Sequence, residues 1–369
     1  MKQRFRVGIV GLSAERGWAA AAHLPALRAL SDEYELIGVA NTSHASAKAA
    51  ASAHGISRAF ENVAELVASP DIDIVVVTVK LPYHRNVVAA CLQAGKNVYC
   101  EWPLANSPAE VMELARLAAE KQALVVMGTQ AVVSPEVEFV RKLVADGYVG
   151  EVLSSTYIGC SSVWGDEVTS GEAYAMDAKN GVTLLSIIGG HAISAIQRVL
   201  GQITEVAAIT AQRRRNVRVV ETGELIPMTA ADQVLISAVL HSGAPLAFQL
   251  RGGSPHGTKL RWEINGTKGD LRITARFEPV PVINISPLRV EGGQKEDAGY
   301  AELSVPESYY SGFEDQPVAR NVANIYRLMA KDLRDGTRTA PNIDDAVSLH
   351  RTIWAIEESA NTGRHVPIG

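Results

Sequence analysis

Cysteine is scarce and scattered in this chain. The three in 369 residues, Cys91, Cys100 and Cys160, are an odd number with no short spacing, so no disulfide framework and no metal-ligand set is legible in them. Each reads as a buried free thiol of a reducing compartment. Positive charge is not in excess. Against 35 Lys and Arg stand 40 Asp and Glu, a net charge of -5, which gives no electrostatic footprint for nucleic acid. The basic cluster Arg213-Arg214-Arg215 with Arg218 therefore reads as a solvated loop between strands. The opening residues, Met1 to Arg6, lack the long apolar core of a signal peptide, and no run approaches the ~18 apolar residues of a membrane helix. A cytoplasmic protein without nucleic-acid or membrane partners is expected. Hydrophobic residues at 47% and charged residues at 20% exclude general disorder.

What is present is an alternation. Apolar runs at residues 6–11, 34–40, 73–79, 98–100 and 124–127 read as strands. Most of their positions are apolar, as in a parallel sheet covered on both faces. Between them, residues 18–30, 45–54, 84–94 and 108–121 read as helices, the last with Ser107 as cap and Pro108 in its first turn. This is the doubly wound α/β pattern, in which ligands bind beyond the carboxyl ends of the strands.

At the first such end stands Gly11-Leu12-Ser13-Ala14-Glu15-Arg16-Gly17-Trp18. A dinucleotide needs small residues there, because backbone N–H groups must approach its pyrophosphate at a helix start. Gly11, Ser13, Ala14 and Gly17 are the candidates; Trp18 either contacts the nicotinamide ring or packs the helix. The second strand ends in Asn41-Thr42-Ser43-His44 rather than in the carboxylate that usually holds an NAD ribose. That favours NADP slightly and leaves NAD open. Val79, Lys80 and Leu81 follow the third strand, at the mouth where cofactor or substrate belongs, and Gln130 follows the strand 124–127.

The length predicts about two domains, and the pattern changes near residue 150. Residues 151–159, 203–212, 233–240, 245–250, 260–264 and 270–274 read as strands, several alternating apolar and polar. The segment Asn265 to Gly269 reads as a hairpin turn, and residues 315–333 and 346–362 as helices.

The motif Glu101-Trp102-Pro103-Leu104-Ala105, preceded by Ala94-Gly95-Lys96-Asn97-Val98, is similar to the Glu-Lys-Pro segment of the Gfo/Idh/MocA oxidoreductases. His84, Gly147-Tyr148-Val149-Gly150-Glu151-Val152 and Asn265 to Leu271 carry the same resemblance over most of the chain. Gly11-Leu12-Ser13-Ala14 with Gly17-Trp18-Ala19, His23 and Pro25 resembles the branch that includes the fungal galactose-regulon repressor, as does Trp102 where the enzymes have lysine. The resemblance implies an α/β protein. Its residues 1–150 form an NAD(P)-binding Rossmann domain. Residues 151–369 form a C-terminal α/β domain on a large open, mostly antiparallel sheet, with its last helix returning toward the first domain. It also implies a sugar-like ligand, a homodimer or homotetramer through the C-terminal sheet, and Glu101 beside the nicotinamide ribose.

Oxidising a hydroxyl needs a group that takes its proton. An indole is only a donor, so Trp102 cannot replace the family's lysine in that role. The family's other pair, Asp one turn before His, falls on Ile187 and His191. His191 is therefore the first catalytic candidate, with Lys179 and Lys80 behind it, and Asp177 and Tyr174 near it in sequence. Two functions remain open: an NAD(P)-dependent oxidoreductase with an atypical site, and a catalytically silent cofactor-bound sensor.

Overall fold

The computed structural model describes residues 3–253, 256–275, 281–310 and 316–369. It divides into two compact units: Met1–Thr129 with Val318–Ser348, and Gln130–Pro317 with Leu349–Gly369. Residues 130–150, expected with the first domain, group with the second unit, and 318–348 group with the first.

The first unit alternates β1 (Phe5–Val10), α1 (Leu24–Ala29), β2 (Tyr34–Ala40), α2 (His44–His54), β3 (Arg58–Ala59), α3 (Val63–Ala68), β4 (Ile74–Val77), α4 (His84–Gln93), β5 (Asn97–Glu101), α5 (Pro108–Lys121) and β6 (Val125–Gly128). The sheet order is β3-β2-β1-β4-β5-β6, all pairs parallel, and β4 and β6 are buried throughout. Side chains of Ser43, Asn62 and Ser107 accept N–H bonds that start α2, α3 and α5, as expected for Ser107. The two-residue β3 and six-residue α3 carry too little periodicity to be read from sequence.

The second unit begins with α6 (Pro135–Ala145) and continues through β7 (Val152–Ser161), β8 (Glu167–Val168), α7 (Gly190–Leu200), β9 (Ile203–Ala211), β10 (Asn216–Val219), β11 (Leu225–Pro227), β12 (Gln233–Leu240), β13 (Pro245–Gly252), β14 (Arg261–Gly266), β15 (Gly269–Ala275), β16 (Leu288–Gln294) and β17 (Ala301–Glu302). After these come α8 (Pro317–Asp335), which groups with the first unit from Val318 on, then α9 (Ile343–Thr362), whose residues from Leu349 on rejoin the second, and β18 (Val366–Pro367). Residue 315, the expected start of α8, lies outside the described residues. Nine strands form one sheet, β17-β16-β15-β14-β7-β13-β12-β9-β18, antiparallel except for β7 against β13. β12 alternates buried and outward positions as a one-sided strand should.

One expectation about apolar runs needs correction. Residues 178–200 are long and apolar enough to cross a membrane by length and composition, and 72% of that window is buried inside the protein. The three cysteines are buried and free. Burial pushes the Cys91 thiol up to about 12, and the Cys100 thiol upward as well, so neither is a nucleophile near neutrality.

A buried imidazole makes the second unit acid-sensitive. His350 in α9 is 4% exposed and stacks on Trp354, and burial lowers its pKa to about 3. The unfolded chain then takes up a proton near pH 6.5 that the folded chain refuses. Stability is therefore full above that pH and falls below it, by up to ~2 kcal/mol at pH 5. In His350→Leu this part of the pH dependence is expected to vanish in denaturant titrations at pH 7 and pH 5.

Candidate functional site

The carboxyl end of the first sheet is built by loops that follow β1, β2, β4 and β5. Gly11 has φ +105° and donates its N–H to Ala40 O at 3.1 Å. A Cβ there would lie 2.9 Å from Thr78 C and Val79 N, so the β1 loop lies directly on the β4 loop. Ser13 is exposed, and its Oγ accepts the N–H groups of Glu15 and Arg16 at 3.3 and 3.4 Å. Ala14 is half-buried and Gly17 exposed. Trp18 leads into a π-turn, Ala19–His23, a local widening found mostly at functional sites. Its Nε1 is buried and has no hydrogen-bond partner among the described residues. Asn41 donates Nδ2 to Leu12 O at 2.8 Å, and its buried Oδ1 likewise has no partner among them. An unmet donor and an unmet acceptor border this loop. A dinucleotide, with phosphate oxygens and ribose hydroxyls, fits both needs.

Thr42 and Ser43 are exposed, Ser43 capping α2. His44 is half-buried, with Nδ1 3.4 Å from a Glu61 carboxylate oxygen. That corrects one premise of the sequence reading: a carboxylate does stand near the end of β2, but it comes from the segment after β3.

Lys80 is exposed and Leu81 buried, while the Val79 carbonyl points at His84. The His84 ring is 3% exposed, with Nδ1 2.8 Å from Pro103 O and Nε2 2.9 Å from Val79 O. Burial holds its pKa low, against the pull of the two carbonyls and Glu101. Each nitrogen faces a backbone carbonyl, and the neutral ring donates its single N–H to one of them, so His84 sits between the β4 and β5 loops.

Glu101 ends β5 in register with Gly128, where a Cβ would meet its carboxylate at 2.6 Å. His23 Nε2 lies 2.9 Å from Glu101 Oε1, and His23 Nδ1 lies 2.8 Å from the Tyr326 hydroxyl. Trp102 is 6% exposed, and its peptide bond to Pro103 is cis.

In the second unit, Gln130 is buried and opens the short helix that follows β6. His191 is buried in the first turn of α7, and its carbonyl accepts from Ser194 Oγ at 2.9 Å. Ile187 lies half-buried in a second π-turn, Leu185–Gly189. Lys179 is 80% exposed and 2.7 Å from Asp177. That pairing raises the Lys179 pKa, the wrong direction for a base. Burial, then Glu172, raises Tyr174.

A cleft of about 700 Å³ in the same unit is lined by Ser162, Asp166, Thr169, Glu172, Arg214 and Gly253 among others. Arg214 donates Nε to Asp166 and Nη1 to Asp232, both at 2.8 Å, and fully buried Asp232 also accepts the Arg213 N–H at 2.7 Å. The basic cluster is therefore not simply a solvated loop: Arg214 is held by a buried carboxylate. Among the described residues, no three His, Cys, Asp or Glu side chains gather as a metal site.

A six-stranded parallel sheet with a glycine-turned first loop, followed in the chain by a large mixed sheet, is the architecture found both in Gal80p and in NAD-binding oxidoreductases. Residues 5–129 match the model of the oxidoreductase family with NAD-binding Rossmann fold, and residues 135–275 match that of the Gal80p C-terminal domain. By these two matches the chain is similar to the Gfo/Idh/MocA oxidoreductases over residues 5–129 and to Gal80p over residues 135–275. It is 28% identical to dehydrogenase aclE of Aspergillus oryzae, over 99% of this chain and 98% of that one. It is also 28% identical to the galactose/lactose metabolism regulatory protein GAL80 of Saccharomyces cerevisiae, over 83% of this chain and 70% of that one. Among solved structures, a super-repressor mutant of Gal80p from Saccharomyces cerevisiae superposes with TM-score 0.89 at 24% identity, covering 99% and 98% of the two chains. Levoglucosan dehydrogenase, in complex with NADH and levoglucosan, superposes with TM-score 0.84 at 19% identity, covering 100% of both.

These relatives overturn the expected partner list, which held only a sugar-like small molecule and further copies of the chain. Relatives along most of the sequence are regulatory proteins, one described as a transcriptional regulator.

Proposed function

We propose that the protein is a nicotinamide-dinucleotide-dependent oxidoreductase acting on a hydroxyl of a sugar or polyol-like substrate, with an atypical catalytic set. The observation that carries this reading is the cradle at Gly11, where the loops after β1 and β4 touch and the Trp18 and Asn41 polar atoms await partners. Likeness to a dehydrogenase along 99% of the chain supports it. The dinucleotide, when bound, supplies a nicotinamide ring that accepts a hydride. Glu101 accepts hydrogen bonds from ribose hydroxyls. Trp102 walls the pocket and excludes water but moves no proton. His191, as a neutral imidazole, takes the hydroxyl proton. Lys80 and Lys179 stand behind it as the remaining candidates, Lys179 weakened by its tie to Asp177. For the cofactor's form, the absence of a carboxylate at Asn41 to Ser43 favours NADP, whereas Glu61 beside His44 would repel a 2′-phosphate. We take the carboxylate as the stronger effect and expect tighter binding of NAD. Buried free thiols suit the cytoplasmic location read from the sequence.

The test is a titration with NAD and NADP, followed by a sugar and polyol panel read at the reduced-nicotinamide absorbance band. Turnover that falls by ~10²–10⁴ in His191→Ala, with cofactor affinity unchanged, is the expected result. A second reading, a cofactor-bound regulatory protein without turnover, is favoured by Trp102 and Ile187 in place of the catalytic Lys and Asp, and by the match to the Gal80p C-terminal domain. Tight cofactor binding with no turnover across the panel selects it.

A further inference from the structure

His23 and Tyr326 form a buried pair behind Glu101 that the proposed chemistry leaves unused. His23 is fully buried at the end of the π-turn, and its two ring nitrogens have different neighbours: Glu101 Oε1 at 2.9 Å and the Tyr326 hydroxyl at 2.8 Å. With the carboxylate ionised and the ring neutral, one arrangement of donors satisfies both contacts. An ionised carboxylate only accepts, so Nε2 carries the hydrogen and donates to Glu101. In a neutral ring Nδ1 is then an acceptor, and the Tyr326 O–H donates to it. Burial, with Tyr34 and Glu101 nearby, holds Tyr326 well above its ordinary pKa, so it keeps the proton it donates. Tyr326 is pinned in turn: its carbonyl accepts from Tyr34 Oη at 2.6 Å, and its ring packs against Tyr34, Tyr99 and His23. Gly128 gives the carboxylate room on the adjacent strand.

We infer that His23 and Tyr326 are positioning residues that hold the Glu101 carboxylate in one orientation for the second ribose of a dinucleotide. The inference rests on the dinucleotide reading above and deepens it. The sheet's two halves bind the two mononucleotide halves, and Glu101 ends β5, in the half that follows β4. His23 occupies one oxygen of the carboxylate and fixes the plane of the other. A rigid acceptor meets two hydroxyl donors without paying side-chain entropy on binding. Tyr326 fixes the His23 tautomer, which is the role a buried orienting group plays for any paired imidazole.

The experiment is a set of titrations of the full chain with NAD⁺ and with ADP, which carries the adenosine half and pyrophosphate but no second ribose. The His23→Asn amide reaches the level of Nδ1 and withdraws the donor from Glu101. NAD⁺ affinity is expected to fall about 10-fold and ADP affinity to hold. The His23→Gln amide reaches the level of Nε2 and should restore NAD⁺ affinity to within about threefold. In a Glu101→Gln background, His23→Asn should add less than about twofold, because the two act as one unit. Tyr326→Phe keeps the ring and removes the O–H. It should weaken NAD⁺ about threefold with ADP unchanged, and it serves if His23→Asn does not fold. Equal losses for ADP and NAD⁺, no loss for NAD⁺, or full additivity with Glu101→Gln overturns the positioning role. A wild-type chain that binds neither ligand overturns the dinucleotide reading itself, a result distinct from these.

Discussion

Gly11→Ala is expected to weaken NAD⁺ binding about 100-fold, or ~2.7 kcal/mol, in calorimetric titration. Two effects combine at this position. At φ +105° any side chain is strained, at a cost of ~1–3 kcal/mol. The new Cβ would also stand 2.9 Å from backbone atoms of Thr78 and Val79, which have no rotamer to change. The β1 loop must therefore lift off the β4 loop, and the space assigned to the pyrophosphate closes or opens with it. Gly17 separates the two effects. It has the same φ of +105°, but a Cβ there meets nothing within 4 Å. Gly17→Ala should show the strain, as a stability loss of ~1 kcal/mol, and less than about a 10-fold loss of affinity. Equal affinity losses in the two variants would show that the contact between loops does not shape the site.

Asp332→Ala is expected to cost ~3 kcal/mol of stability in urea denaturation at pH 7, the largest loss foreseen for a polar side chain of the first unit. Asp332 is 3% exposed and accepts from the N–H groups of Thr339 and Ala340 and from the hydroxyls of Thr337 and Thr339, with the Ala340 bond at 2.8 Å. It thereby staples the turn after α8. That turn lays residues 341 and 342 along the edge of β6, where Met127 donates its N–H to Pro341 O at 2.8 Å. Removing the carboxylate leaves the buried Ala340 N–H unmet and frees the turn's other three donors. Burial works to raise the Asp332 pKa, but the N–H groups of Ala340 and Thr339 and the hydroxyls of Thr337 and Thr339 win, and the net direction is down. A depressed folded pKa means the stabilisation is full above the unfolded value, ~3.9, and is lost as pH falls through the folded one. The gap between wild type and Asp332→Ala should narrow below about pH 4. A gap that stays constant with pH would show that the carboxylate's charge is not what holds the turn.

The parallel half of the fold was legible because its signal is local. A buried parallel strand such as Ile74–Val77 is apolar at every position, and a helix such as Pro108–Lys121 announces its start by a Ser and a Pro. β16, by contrast, carries Gly292 and Gly293 toward its end and is not among the strands expected from sequence, although seven residues pair with β15. The site was legible to the same extent. Gly11, Asn41 and Glu101 stand at strand ends and Trp18 at the helix start that follows the first of them, so all four could be named. Their functional neighbours could not. Glu61 reaches His44 from another segment, and Tyr326 reaches His23 across 303 residues of sequence. His23 itself was visible only as a motif letter. For Lys179 the sequence showed only a position near His191, and the structure adds that it is exposed and paired with Asp177.

Sequence alone determined the doubly wound class, the strand ends that carry the glycine-turned first loop, and the presence of Trp102 and Ile187 at their positions. Each of these depends on residue type and on spacing within a few residues, which the chain displays directly. Only the tertiary structure decided that residues 318–348 belong with the first unit, that the imidazole of His23 is locked between a phenol and a carboxylate, and that Arg214 answers a buried Asp232. Such pairings form because burial leaves a polar group no water to bond. The group must then find its partner wherever folding brings one, at whatever distance along the chain.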